Sequence, residues 1–238
     1  MKLLAIESSA KAASVALVED GRLAAQNFQH AGLTHSRTLL PMLHSLLDGL
    51  GVGVADIDKI AVAHGPGSFT GLRIGVATAK GLAFAAEKPL VGVSSLEAMA
   101  HQAKHLGPGL ITPVMDARRE QVYNALFRTE GTSLVRLTED RAIAIEDLFA
   151  QTDYAGPYLL VGDGAALCYE RLQNAGIPAE ILPEHLVQQT AWGVAMAAWD
   201  MSGGCVHDVN PCYIRPTQAE RERMERLERV NAGGPPPT

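Results

Sequence analysis

Residues 63–87 constrain this chain more than any other stretch: Ala-His-Gly-Pro-Gly-Ser-Phe-Thr-Gly-Leu-Arg-Ile-Gly-Val-Ala-Thr-Ala-Lys-Gly-Leu-Ala-Phe-Ala-Ala-Glu. An apolar strand runs into a Gly/Pro loop, and the loop runs into a long helix. Gly65 and Gly67 permit a tight turn with open backbone N–H groups. Pro66 fixes one φ angle, and Ser68 or Thr70 serves as the helix cap. The helix then carries Gly71, Gly75, Ala79 and Gly81 among other small residues. A glycine inside a soluble helix costs about 1 kcal/mol relative to alanine, so another backbone is expected very close to it. Two functional readings compete: a loop that holds a phosphate at a helix N-terminus, and a helix that holds a partner. A structural turn ahead of a tightly packed helix is the plainer alternative.

The whole chain narrows the choice. Its 238 residues make one large domain or two small ones. A net charge of −6 with no Lys/Arg tract lacks the basic footprint of a protein that grips nucleic acid alone. Cys168, Cys205 and Cys212 lack zinc or redox spacing and fit free thiols in a reducing cytosol. The N-terminal apolar run is too short for a signal peptide. No apolar run approaches the roughly 18 residues of a membrane span.

Along the chain, residues 2–6, 13–18 and 23–28 read as an antiparallel meander, with Asp20-Gly21 as a hairpin turn. Leu39, Met42, Leu43, Leu46, Leu47 and Leu50 recur at threes and fours, so an amphipathic helix is expected over 36–49. Thr34 or Ser36 is its expected cap, and Pro41 is tolerable only near the first turn. A strand over 59–63, a helix over 69–86, a strand over 90–93 and a helix to about 105 follow. Gly107-Pro108-Gly109 reads as a hinge. Beyond it, strands are expected at 110–115, 122–127, 134–137 and 158–161, with helices at 146–150, 165–175 and 190–201. A strand–turn–strand–strand–helix–strand unit thus appears twice. The expected division is a first lobe over 1–106, a second over 107–218, and a charged tail over 219–238.

Spacing alone names no catalytic constellation. The 65–71 loop has no Gly-Lys-Ser/Thr for a Walker A site, and its glycines do not match a Rossmann fingerprint. His101 and His105 stand at i and i+4, a metal-pair spacing with no third ligand nearby. His35, His44 and His64 are scattered. Asp116-Ala117-Arg118-Arg119-Glu120 is a candidate site or an ion-paired turn.

The run Gly-Pro-Gly-Ser-Phe-Thr-Gly-Leu-Arg-Ile-Gly at 65–75 closely resembles the signature of the bacterial TsaB family. Three other pieces agree: Leu4-Ala5-Ile6-Glu7-Ser8-Ser9, His35-Ser36-Arg37-Thr38-Leu39-Leu40-Pro41, and Asp116-Ala117-Arg118 with Val122-Tyr123. The match covers roughly residues 1–127, with Val161-Gly162-Asp163-Gly164 beyond. The resemblance implies the α/β, actin-like ATPase fold, two lobes each with a five-stranded mixed sheet and helices. It also implies a part in making threonylcarbamoyladenosine beside the anticodon of tRNA. In that family TsaD is the transferase, and TsaB looks like its paralogue without the chemistry. The two metal-binding histidines of TsaD fall here on Ser95 and Met99, a hydroxyl and a thioether. Actin-like ATPases carry Asp-x-Gly turns where this chain has Glu7-Ser8-Ser9 and Asp116-Ala117-Arg118, and Arg118 is expected to crowd a phosphate path.

What the resemblance implies is a non-catalytic scaffold that binds and activates TsaD in a heterodimer, with the ATPase TsaE joining the pair. No metal and no cofactor are expected, with nucleotide binding weak or confined to a subunit interface. A homodimer through the same patch is open when TsaD is absent, and tRNA contact passes mainly through the partners. The expected docking residues are Leu39, Met42, Leu43 and Leu46 on one helix and Gly71, Gly75, Thr78, Ala79 and Leu82 on the next. The motif loop comprises His64, Gly65, Pro66, Gly67, Ser68, Thr70 and Arg73. The alternative is an ATP- or metal-dependent enzyme of the same fold, of the kind labelled glycoprotease.

Overall fold

The computed structural model describes residues 1–106, 109–150 and 156–215. The expected hinge pair Gly107-Pro108 and the expected tail at 219–238 lie outside the described residues. In the first lobe the chain forms β1 (Lys2–Glu7), β2 (Ala13–Glu19), β3 (Arg22–Gln29), α1 (His35–Leu50), β4 (Lys59–Gly65), α2 (Phe69–Ala85), β5 (Leu90–Ser94) and α3 (Ser95–Ala103). The sheet order is β3-β2-β1-β4-β5. The meander pairs are antiparallel, and β1-β4 and β4-β5 are parallel. Pro41 sits in the second turn of α1, deeper than expected. It faces solvent, so the Arg37 carbonyl that loses a donor there is open to water.

The second lobe contains β6 (Leu110–Asp116), β7 (Gln121–Asn124), β8 (Phe127–Glu130), β9 (Ser133–Arg136), β10 (Arg141–Ala144), α4 (Ile145–Ala150), β11 (Tyr158–Val161), α5 (Ala165–Asn174), β12 (Ala179–Ile181), α6 (Glu184–Val187) and α7 (Ala191–Ala198). Its path β10-β7-β6-β11-β12 repeats the pairing senses of the first sheet, the two-lobed actin-like layout. The expectation of five strands needs correction, because this sheet has seven. The single strand expected over 122–127 is broken into β7 and β8, and β9 pairs with β8 where β10 pairs with β7. Asn124 drives the break. Its buried Nδ2 donates to the Pro113 and Ala125 carbonyls, each at 3.0 Å.

Both faces of the first sheet are buried. On one, Leu4, Ile6, Val15 and Leu17 pack against α1 and α2. On the other, Leu3, Ala5, Ala61, Val91 and Val93 pack against Ala98 of α3 and Ala191, Val194, Ala195 and Ala198 of α7. Gly193 lets α7 cross α3 closely, since a Cβ there would overlap the Ala98 carbonyl. Lys59 closes the end of α7. Its buried ammonium donates to the carbonyls of Ala198 (2.9 Å), Trp199 (2.9 Å) and Met201 (2.8 Å), where a cation also suits the helix dipole. The chain after 190 was expected in the second lobe; it lies on the first. Beyond α7 it continues there as a strap. Leu90 and Gly204 exchange backbone hydrogen bonds, and the Cys212 N–H donates to the His64 carbonyl at 2.7 Å. Among the described residues no helix is long and apolar enough to cross a membrane.

The expected docking residues require a correction. Leu39, Met42, Leu43, Leu46 and Ala79 are buried in the core of their own lobe, and Gly71 and Gly75 face Ser8 in the turn after β1, Gly75 also Val62 of β4. Their stripe is apolar because the sheet beneath needs covering. Leu43→Arg and Ala79→Arg should therefore unfold the lobe rather than merely block a partner. An uncompensated buried charge costs about 3 kcal/mol or more, which thermal melts of the purified variants will read.

One ionisable group is buried where β1 ends. Glu7 Oε1 accepts the Ser9 N–H at 2.5 Å, while Oε2 has no partner among the described residues. Burial pushes its carboxyl up from 4.5 to about 7. Below pH 4.5 both folded and unfolded chains carry this proton. As the pH rises towards 7 the unfolded chain releases it and the fold retains it, so stability falls across that window and then levels off. Each pH unit of that shift is worth about 1.4 kcal/mol. Urea unfolding at pH 5 and pH 8 should show a loss of about 2.5 kcal/mol in the native chain that Glu7→Gln lacks; parallel pH profiles would refute it.

Candidate functional site

The motif loop answers the question its glycines pose. Ser68 is the cap of α2, its Oγ accepting the Gly71 N–H at 3.3 Å. A Cβ on Gly67 would overlap the Ser9 carbonyl, one on Gly71 the Ser8 carbonyl, and one on Gly75 the Ser8 hydroxyl. Gly65, at φ +136°, lies against the Cys212 carbonyl in the same way. The backbone that needs the glycines is the chain's own. Two hydrogen bonds seal the contact: Ser8 Oγ donates to Gly71 O at 3.0 Å, and Ser68 N–H donates to Ser9 O at 2.6 Å. His64 sits under the strap, with Nδ1 3.1 Å from the Asn210 carbonyl, while Lys80 holds the Asn210 side chain at 3.1 Å.

Between the lobes the loop borders a cleft of about 940 Å³. One wall is Gly67, Ser68, Phe69, Thr70 and Arg73; the floor is Ser9 and Ala10; the far wall is Met115–Arg119 with Asp163. The strap covers one side through Cys212–Arg215. Arg73 lies over the Phe69 ring at 3.7 Å from its centroid and donates to the Tyr213 hydroxyl at 3.0 Å. Arg215 reaches across to the Ala117 carbonyl at 2.8 Å. Arg118, Arg119 and Glu120 adopt φ of +61°, +55° and +57° in the β6–β7 turn. Side chains rarely take this left-handed conformation, and Arg118 takes it where actin-like ATPases place glycine. Asp163 is pushed above the usual carboxylate range, chiefly by burial, although Gln189 donates to it at 3.3 Å.

The remaining sequence candidates are dispersed. Ser95 and Met99 are buried, Met99 within the second lobe's core. The His101 imidazole is pushed below its usual pKa by burial, and His105 is exposed. Among the described residues no three His, Cys, Asp or Glu groups are placed to hold a metal. Lys11, Tyr213 and Arg215 carry no mark in the sequence. The strap has no periodicity to mark it, and nothing local ties it to a loop about 145 residues earlier.

The outer strip of α2 is a separate feature. Thr70, Arg73, Ala77, Gly81, Phe84 and Ala85 are exposed there, with Ile74, Thr78 and Leu82 half-buried. Phe84 is 73% exposed, and Leu40 on the neighbouring α1 is 55% exposed. A Cβ on Gly81 would meet open space, so no neighbour among the described residues requires that glycine.

Known proteins place this architecture. The family profile described as TsaD, tRNA N6-adenosine threonylcarbamoyltransferase, matches residues 29–199. A transferase of that name from Novosphingobium aromaticivorans is 28% identical over 208 residues, covering 78% of this chain but 59% of its own. The Bacillus subtilis tRNA threonylcarbamoyladenosine biosynthesis protein TsaB is 32% identical over 227 residues, covering 94% of this chain and 99% of its own. The solved structure of YeaZ from Pseudomonas aeruginosa superposes with a TM-score of 0.75 at 28% identity, over 89% of this chain and 99% of that one. Matched end to end by the Bacillus subtilis protein rather than in part by the longer transferase, the chain belongs to the TsaB family.

Proposed function

We propose that the chain works in tRNA threonylcarbamoyladenosine biosynthesis as the non-catalytic subunit that binds and activates the transferase TsaD. The observation that carries this reading is the outer strip of α2. It offers apolar surface around Ala77, Gly81, Phe84 and Ala85, and a glycine that nothing among the described residues requires, with Leu40 exposed on the neighbouring α1. Small residues let a partner helix approach closely, and an exposed phenylalanine is an anchor for a desolvated pocket. The docking face is thus moved one helix side outward from the stripe of Leu43 and Ala79. Thr78 remains in it, at its edge.

Support for a role without chemistry comes from Ser95 and Met99. Both are closed into the protein interior, and neither side chain suits a divalent ion. In this reading TsaE joins the TsaD-bound form, tRNA is held mainly by the partners, and the α2 strip mediates a homodimer when TsaD is absent. Gly81→Arg should raise helix propensity, keep the melting temperature, and lower co-purification with TsaD at least tenfold. Phe84→Asp should likewise leave a folded chain and lower co-purification with TsaD, without the longer side chain. Undiminished capture of TsaD by both folded variants would remove the docking face from α2.

A further inference from the structure

The first sheet ends on an uncovered strand. β3 is its outer member and pairs only with β2 among the described residues. A register shift between the pairs Leu17–Ala25 and Val18–Leu23 leaves Ala24 without a partner on β2. Beyond it Ala25-Gln26-Asn27-Phe28-Gln29 runs regularly to the strand end, with no charge and no proline. Charges, prolines and bulges normally keep an edge from pairing with another chain, and here only a bulge is present, at one end. Ser14 Oγ donates to the Asn27 carbonyl at 3.0 Å, so that carbonyl is turned towards β2. Alternation along an antiparallel pair then points the N–H and C=O groups of Gln26 and Phe28 outward. Among the described residues no backbone hydrogen bond from outside the sheet reaches them.

The helix α1 runs beside this edge. Between the two lies a groove of about 530 Å³, lined by Gln26, Asn27, Phe28 and Gln29 of β3 and by Arg37, Pro41 and Ser45 of α1 among others. Asn27 Nδ2 donates to the Met42 carbonyl at 2.9 Å, which sets Met42 level with Asn27. Along the exposed side of α1 the order is Arg37, Pro41, Ser45 and Asp48, about one residue per turn. The cation therefore stands about 7.5 Å along the axis on one side of Met42, and the acid about 9 Å on the other. The Arg37 guanidinium has no hydrogen bond or ion pair among the described residues. Asp48 meets only His44 among them, at 3.0 Å, with both side chains exposed.

A surface with a cation and an acid at similar distances on opposite sides of one point is self-complementary under a two-fold rotation about that point. We infer that a second copy of this chain adds to the sheet here, its β3 antiparallel to the first across a two-fold axis at Asn27. Gln26 of each copy then exchanges backbone hydrogen bonds with Phe28 of the other. The same rotation brings Arg37 of each α1 level with Asp48 of the other. The spacing agrees. Because α1 lies over β2 and β3, strands about 4.8 Å apart across the joined edge put the two α1 axes about 10 Å apart, a packing distance for helices. Pro41 and Ser45, which line the groove, are small enough for that approach. A lone strand from another protein would satisfy the backbone but brings no helix to answer both charges. None of these residues belongs to the α2 strip, so this contact is separate from the one proposed for TsaD.

Sedimentation equilibrium at tens of micromolar tests this on the full chain carrying Gly81→Arg, which closes the α2 strip to a second copy. A dimer is expected that weakens as salt rises. Arg37→Glu and Asp48→Arg should each weaken it at least tenfold. Both together in one chain should restore it, since the exchanged charges meet again across the axis. Phe28→Pro, which removes an outward N–H from an edge strand, should leave a monomer with native melting behaviour. A monomeric Gly81→Arg chain would overturn the inference and assign any dimer of the native chain to the α2 strip. Failure of the double variant to restore pairing would overturn it too, as would a dimer indifferent to Phe28→Pro. Capture of TsaD is measured separately, so either proposal can fail alone.

Discussion

The structure of the first lobe depends on how closely the Ser8-Ser9 turn approaches the loop and helix at 67–75. Gly67, Gly71 and Gly75 each touch that turn where a Cβ would not fit, and the two serines bond to the loop in return. The contact pins the start of α2 to the end of β1. With its start and angle set, α2 lays Leu72, Val76, Ala79 and Ala83 into the core over β1 and β4. The glycines at 71 and 75 therefore serve folding, and the helix's outer side is what remains for recognition.

The same contact shapes the cleft. Ser9 forms its floor because Gly67 and Ser68 lie directly above it. The strap crosses over Gly65, bonds to His64, stacks Tyr213 near Phe69 and reaches the second lobe through Arg215. Together with α3 and α7, which pack on both sheets or on each other, it ties the lobes into one unit around a cleft lined by arginines.

Periodicity and turn chemistry made much of the fold legible. The 20–21 turn, the leucine spacing of α1 and the capped start of α2 each stand in the structure as the sequence indicates. What failed was the step from apolar stripe to partner. Leu39, Met42, Leu43 and Leu46 show which side of α1 is buried, but not against what, and here it is the chain's own sheet. The glycines likewise demand a close backbone without saying whose. β10 and β12, at four and three residues, are too short to show alternation, and the break at Asn124 depends on a bond to Pro113 across the sheet. The placement of α7 on the first lobe rests on Gly193 and Lys59, contacts between residues more than 90 positions apart that no local pattern encodes.

The proposed role leaves activity to a partner and assigns the exposed strip of α2 as the surface that meets it. Reconstituted modification of tRNA by purified TsaD and TsaE, with and without this chain, tests that account most directly. The account predicts threonylcarbamoyladenosine only when the chain is present, and its loss with Gly81→Arg. Full modification without the chain would contradict it.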